Sequence, residues 1–133
     1  MLAKWSGQYG DYFYFVFRVF VGLLFAQHGA QKLFGWFTAN PPVELVGLMG
    51  LAGLIEFVGG LFLALGLFTR LVALVAALEM AVAYFMAHFP QGWVPIQNQG
   101  ELALLYFAAF LVLLVHGAKK WALENALSKK ELF

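Results

Sequence analysis

The sequence predicts an all-α fold: an integral-membrane four-helix bundle with its N- and C-termini cytoplasmic. Three observations predict it: a large apolar excess, four long apolar stretches, and a one-sided distribution of lysine and arginine. Hydrophobic residues make up 63% of the 133 residues and charged residues 11%, with a mean hydropathy of +0.82. Such a chain has too little polar surface to cover a soluble globule of its size.

The apolar stretches run from Tyr12 to Gln27, Val46 to Phe68, Leu71 to Phe89 and Gly100 to Val115. Each approaches or exceeds the lower limit for a bilayer-spanning helix. The first lacks a short apolar core followed by a small-residue cleavage site, so it reads as a retained anchor, with the mature chain starting near Met1. When the stretches are folded as successive hairpins, Lys4, Arg70, Lys119, Lys120, Lys129 and Lys130 fall on one side and Lys32 on the other. The positive-inside rule makes the lysine-rich side cytoplasmic. Lipids are then the first partners of the chain.

The second stretch opens at Asn40, Pro41 and Pro42, which read as a cap and first turn. It carries Gly47, Gly50, Gly53, Gly59, Gly60 and Gly66, and small residues let helix backbones approach closely in a membrane. This is the expected central packing helix; the alternative is a cofactor or lipid tail against the same smooth face. Gly66 to Arg70 reads as a tight turn into the third helix. Phe89 to Gln99, with Pro90, Gly92, Trp93 and Pro95, is the longest turn-rich connection and would cover the outer mouth of the bundle. Residues 1–117 are expected to form the bundle domain and 118–133 a short cytoplasmic tail. The tail mixes Lys119, Lys120, Lys129 and Lys130 with Trp121, Leu123, Leu127, Leu132 and Phe133, which suits a helix lying on an anionic surface.

Composition also excludes some chemistry. The absence of cysteine removes thiolate nucleophiles, disulfide exchange and iron–sulfur ligation, and a net charge of +1 gives no reason to propose nucleic acid. Any redox role needs a borrowed cofactor.

Charge at membrane depth is costly, so ionisable residues there are functional candidates. Arg18, Glu56 and Glu79 are expected to share a layer, with Arg18 to Glu79 the preferred pair. One cation against two acids leaves one carboxyl holding a proton or a bound ligand completing the site. That arrangement suits a quinone carbonyl, and the competing reading is an ion pair that pins helices together. A second, outer layer holds His28, Lys32, His88 and Glu101, with Lys32 expected to pair with Glu101, and Gln27, Gln31, Gln97, Asn98 and Gln99 at the same level. It reads as a second place for a quinone head group or as a hydrated helix-end network. His116 falls at the opposite end, so His28, His88 and Glu101 lack the spacing of a metal site, and none is expected. Tyr9, Tyr12, Tyr14, Trp36, Trp93 and Trp121 read as interfacial rings. Tyr84 lies deeper, within reach of Glu79 or a ligand.

Arg18-x3-Gly22-x5-His28-Gly29-x2-Lys32, Glu56-x2-Gly59-Gly60, Gly66-Leu67-Phe68-Thr69-Arg70 and Asn98-Gln99-Gly100-Glu101 occur in this order across the four stretches. In this the chain resembles the DoxX family of small four-helix bacterial and archaeal membrane proteins. The family often has Gly-Gly-Glu before helix four and a glycine-rich turn leading to Ser-Leu-Asp after it. Here Gln99-Gly100-Glu101 keeps the acid, whereas Gly117 to Glu124 departs from the second pattern. The resemblance implies a multi-pass protein of a prokaryotic plasma membrane and, by analogy, a redox or respiratory subunit contacting quinone. A protein partner would supply the electrons, since the chain has no flavin, haem or metal motif of its own. The alternatives are a non-catalytic accessory or assembly subunit and an oligomeric small-solute transporter. The phenylalanine-rich surface favours an oligomer or larger complex over a lone monomer.

Overall fold

The structure, a computed structural model, describes residues 2–128. It is helical, with no strand among the described residues. In chain order the helices are α1 (Leu2–Phe34), α2 (Leu48–Leu65), α3 (Thr69–Ala83), α4 (Pro95–Asn98), α5 (Glu101–His116) and α6 (Leu123–Ser128). A π turn (Tyr84–His88) and a 3₁₀ turn (Phe89–Gln91) extend α3. Three helical spans are long and apolar enough to cross a membrane: Lys4–Phe34, Leu48–Leu65 and Thr69–Gln91. The fourth apolar helix, α5, has 16 residues, about 24 Å of rise against a hydrocarbon core of about 30 Å.

Two boundaries differ from expectation. α1 has 33 residues and starts ten positions before Tyr12, because the polar Ser6, Gln8 and Asp11 do not interrupt helical hydrogen bonding even though they lower hydropathy. Asn40, Pro41 and Pro42 do not open α2. They lie in an irregular connection, and Gly47 is the residue before the first turn. Pro41 and Pro42 have no N–H to donate, and the connection is tied to α1 by Val43 N, which donates to Lys32 O at 2.8 Å. The turn after α2 is as read: Gly66 is left-handed (φ 68°), its N–H and that of Leu67 closing on carbonyls of α2. A glycine there avoids the steric penalty of a left-handed residue.

The helices pack as two intimate pairs, α1 with α2 and α3 with α5, and more loosely between pairs. Glycine explains the first pair. A Cβ on Gly22 would stand 2.6 Å from Gly60 O and Ala64 N, and one on Gly60 would stand 2.5 Å from Gly22 O and Ala26 N. Seven residues further along α1, Gly29 meets the backbone of Gly53 and Phe57 in the same way. The antiparallel backbones therefore touch along two turns, confirming α2 as a packing helix. Between the pairs, Phe25, Leu63, Met80, Tyr106, Phe110 and Leu113 form the buried core with the alanines of α3.

Candidate functional site

The charged residues separate into two places at opposite ends of the bundle. Arg18 and Lys32 are fourteen positions apart on α1, about 21 Å along its axis.

At one end, Arg18 is fully buried. Its Nη1 donates to Ala118 O and Lys120 O, and its Nη2 to Trp121 O at 2.9 Å, with Phe15 against the guanidinium. Tyr14 Oη donates to Gly117 O at 2.6 Å, and Arg70 Nη1 reaches Leu114 O and Val115 O. A helix C-terminus leaves its last carbonyls without intrahelical donors, and these side chains supply donors to α5 and the turn after it. Gly66 completes the joint: its carbonyl accepts from Glu124 N at 3.1 Å, and a Cβ would collide with Ala122. Glu124 is buried within electrostatic range of Arg18. The segment after Gly117 is thus packed into the bundle through Ala118, Ala122 and Glu124. Lys129, Lys130, Leu132 and Phe133 lie outside the described residues.

The expected Arg18 to Glu79 pair is therefore not formed. Sequence depth placed both side chains in one layer, but Arg18 reaches backbone carbonyls about a hundred residues away in the chain. Glu79 instead lies within electrostatic range of Glu56 and Lys32.

At the other end, a cavity of about 240 Å³ opens between the two helix pairs. α1 supplies Phe25, His28 and Lys32, and α2 supplies Glu56. From α3 and its extension come Met80, Ala83 and His88; Gln99, Leu102, Ala103 and Tyr106 complete the wall. Lys32 Nζ and Glu56 Oε2 form an ion pair at 2.5 Å, with the carboxylate nearly buried. Lys32 to Glu101 was the expected pair. It does not form because α1 lies along α2 and barely touches α5, while Glu101 points away from the bundle as an exposed first-turn residue. Gly53 matters here, since its missing Cβ leaves room for Lys32 Cβ to lie against α2.

Aromatic rings form one wall of the cavity. The His28 ring stands perpendicular to that of Tyr106, 5.8 Å between centroids, and Tyr106 in turn contacts Phe25 and stacks on Phe110. Tyr84 packs beside His88 and makes no hydrogen bond to the Glu79 carboxyl, and a Cβ on Gly100 would stand 2.6 Å from its ring. His88 Nδ1 is 3.0 Å from Asn98 O. Asn98 is fully buried, with Nδ2 donating to Gly92 O and Oδ1 accepting from Gly100 N. These bonds hold the connection between α3 and α5 across the cavity mouth, with Gln99 in its wall.

Of the sequence candidates, the structure brings His28, Lys32, Glu56 and His88 together around the cavity, puts Glu79 near the Lys32–Glu56 pair, and leaves Arg18 and Glu101 elsewhere. Phe25 and Tyr106 were missed as wall residues; Asn98 was placed at this level as a hydrogen-bonding group, and its part as the buried scaffold of the connection is what the sequence left unread. A tyrosine among the apolar residues of α5, on the face of Ala103 and Phe110, was the available signal for Tyr106. No group of three or more His, Asp or Glu side chains suited to a metal occurs among the described residues.

The sequence model of the family described as DoxX matches residues 13–89. An uncharacterised protein of Haemophilus influenzae is 40% identical over 134 residues, covering 92% of this chain and 96% of its own. No solved structure matches. The family match takes in α1 from residue 13 onward, α2 and α3 with Arg18, Lys32, Glu56, Glu79 and His88, and stops before Asn98 and Tyr106.

Proposed function

Because this chain belongs to the DoxX family of membrane proteins, we propose that it is a small multi-pass subunit of a redox assembly in a bacterial plasma membrane, with cytoplasmic termini and a quinone-head-group site in the cavity between its helix pairs. The observation that carries this reading is the Lys32–Glu56 pair facing a cavity walled on one side by aromatic rings.

Lys32 has three N–H donors and a single hydrogen-bonded side-chain partner, so it retains donors for a ring carbonyl. His28 and His88 are placed as donors or proton acceptors on other walls, and Tyr106 with Phe25 offers flat apolar surface to a ring. Glu56 can accept a proton released at Lys32 or at a bound hydroxyl. A bound quinone supplies the two-electron carrier chemistry. A partner subunit carrying flavin, haem or copper would supply or remove the electrons. The protein's part is orientation, exclusion of water and proton handling.

Arg18 favours a second reading. A buried arginine used to hold backbone carbonyls is a structural device, which suits an accessory subunit whose charges fix one arrangement of helices.

Extraction from native membranes in a mild detergent, followed by mass spectrometry of retained proteins and quinones, tests the two. The redox reading expects a stoichiometric quinone, and at least about a tenfold loss of it, about 1.4 kcal/mol of binding, in the double variant Lys32→Gln/Glu56→Gln. That variant replaces the ion pair with neutral groups of similar shape, so the melting temperature should hold. A defined complex retaining no quinone would select the accessory reading.

A further inference from the structure

We propose that Glu79 is an intramembrane proton-binding site: a carboxylic acid that takes a proton from the Glu56 side of the cavity and holds it beside the Lys32–Glu56 pair.

Four observations lead there. Glu79 is the eleventh residue of the 23-residue apolar span Thr69–Gln91, so it lies near the middle of its membrane crossing. Both of its carboxyl oxygens are buried and receive no hydrogen bond. The charged groups acting on it are Glu56 and Lys32, and Lys32 is already joined to Glu56 at 2.5 Å. Finally, the cation that sequence depth offered to Glu79, Arg18, donates to the carbonyls of Ala118, Lys120 and Trp121.

Charge balance gives the chemistry. With both acids ionised, Lys32, Glu56 and Glu79 together carry one net negative charge in a region where an uncompensated charge is strongly disfavoured. One proton on a Glu79 oxygen makes the group neutral. The proton comes from water or a ligand hydroxyl in the cavity, the hydroxide or ligand anion left behind departing to solvent; Glu56 passes the proton across, Lys32 keeps its own protons, and no electron moves. The other titratable groups around the cavity are His28 on α1, Tyr106 on α5 and His88 on the turn beyond α3. None brings a second fixed cation. Glu79 is next to Met80 in the chain and four positions before Ala83, so it lies on Ala83's side of α3, one turn beneath that residue of the cavity wall. This inference does not depend on a quinone: any ligand, or water alone, can deliver the proton.

The test uses the full chain in detergent or lipid discs and dicyclohexylcarbodiimide, an apolar reagent that adds to protonated carboxyls inside membranes. Peptide mass spectrometry should find the adduct on Glu79, and Glu79→Gln should abolish it. Infrared difference spectra should show a carboxylic-acid C=O band that disappears in Glu79→Gln and persists in Lys32→Gln/Glu56→Gln, which leaves Glu79 no cation to ionise against; loss of that band in Glu79→Gln but not in the double variant supports the site even where the reagent does not reach it. An adduct or band that follows Glu56 overturns the assignment. So does the absence of both from chain that remains folded by circular dichroism. Mapping on the unmutated chain keeps the test decisive should Glu79→Gln fail to fold.

Discussion

Arg18 and Lys32 sit on the same helix, both inside apolar surroundings, and the bundle treats them in opposite ways. Arg18 is enclosed at one end by the turn after α5, its guanidinium against three backbone carbonyls. Lys32 at the other end has one carboxylate partner and an open cavity beside it. Burial of charge within a membrane segment therefore has two meanings, and the partner distinguishes them. Backbone carbonyls as partners indicate a joint. A lone side-chain partner at the wall of a cavity indicates a place where chemistry can enter.

Variants can break or sharpen this contrast. Arg18→Leu should have the largest effect, leaving buried carbonyls and Glu124 without their cation; a loss of about 3–5 kcal/mol is expected from removing one member of a buried charged arrangement. Equilibrium unfolding in detergent would measure it, and a loss below about 1 kcal/mol would show that the joint is dispensable. Asn98→Ala should cost about 1–3 kcal/mol, since Gly100 N–H and Gly92 C=O lose their partner. Its sharper signature is faster hydrogen exchange confined to residues 89–100, and protection there equal to that of the unmutated chain would remove Asn98 as the clasp of the connection. Glu101→Gln should be the mildest, within about 0.5 kcal/mol and with the cavity unaffected, because the side chain is exposed and outside the wall. A large fall in stability or ligand retention in that variant would return Glu101 to the site.

Helix content and approximate positions were legible because apolar stretches report burial in lipid without reference to any partner. The end of α5 fell within one residue of its expected place, and Gly66 announced its left-handed turn. What hydropathy could not report was the long polar-tolerant start of α1, since helices continue through serine and aspartate. Pairing was the least legible feature. Arg18 could be assigned a carboxylate by depth alone, but its acceptors are main-chain oxygens, which every residue possesses and no sequence pattern marks. Lys32 was matched to Glu101 because both lie near the same end; the deciding fact is that α1 runs against α2, and this is encoded in the seven-residue spacing of Gly22 with Gly29 and of Gly53 with Gly60. That spacing was visible as a smooth face but not as an address for a partner helix.

The pairing of α1 with α2 and of α3 with α5 has a consequence for assembly. Each pair is contiguous or nearly so in the chain, so each half can close as it leaves the insertion machinery, before the other is complete. The cavity, whose wall draws on both halves, comes into being only when they dock. Whatever occupies it is then a rivet between two prefabricated parts, and its supply sets how firmly the halves stay joined.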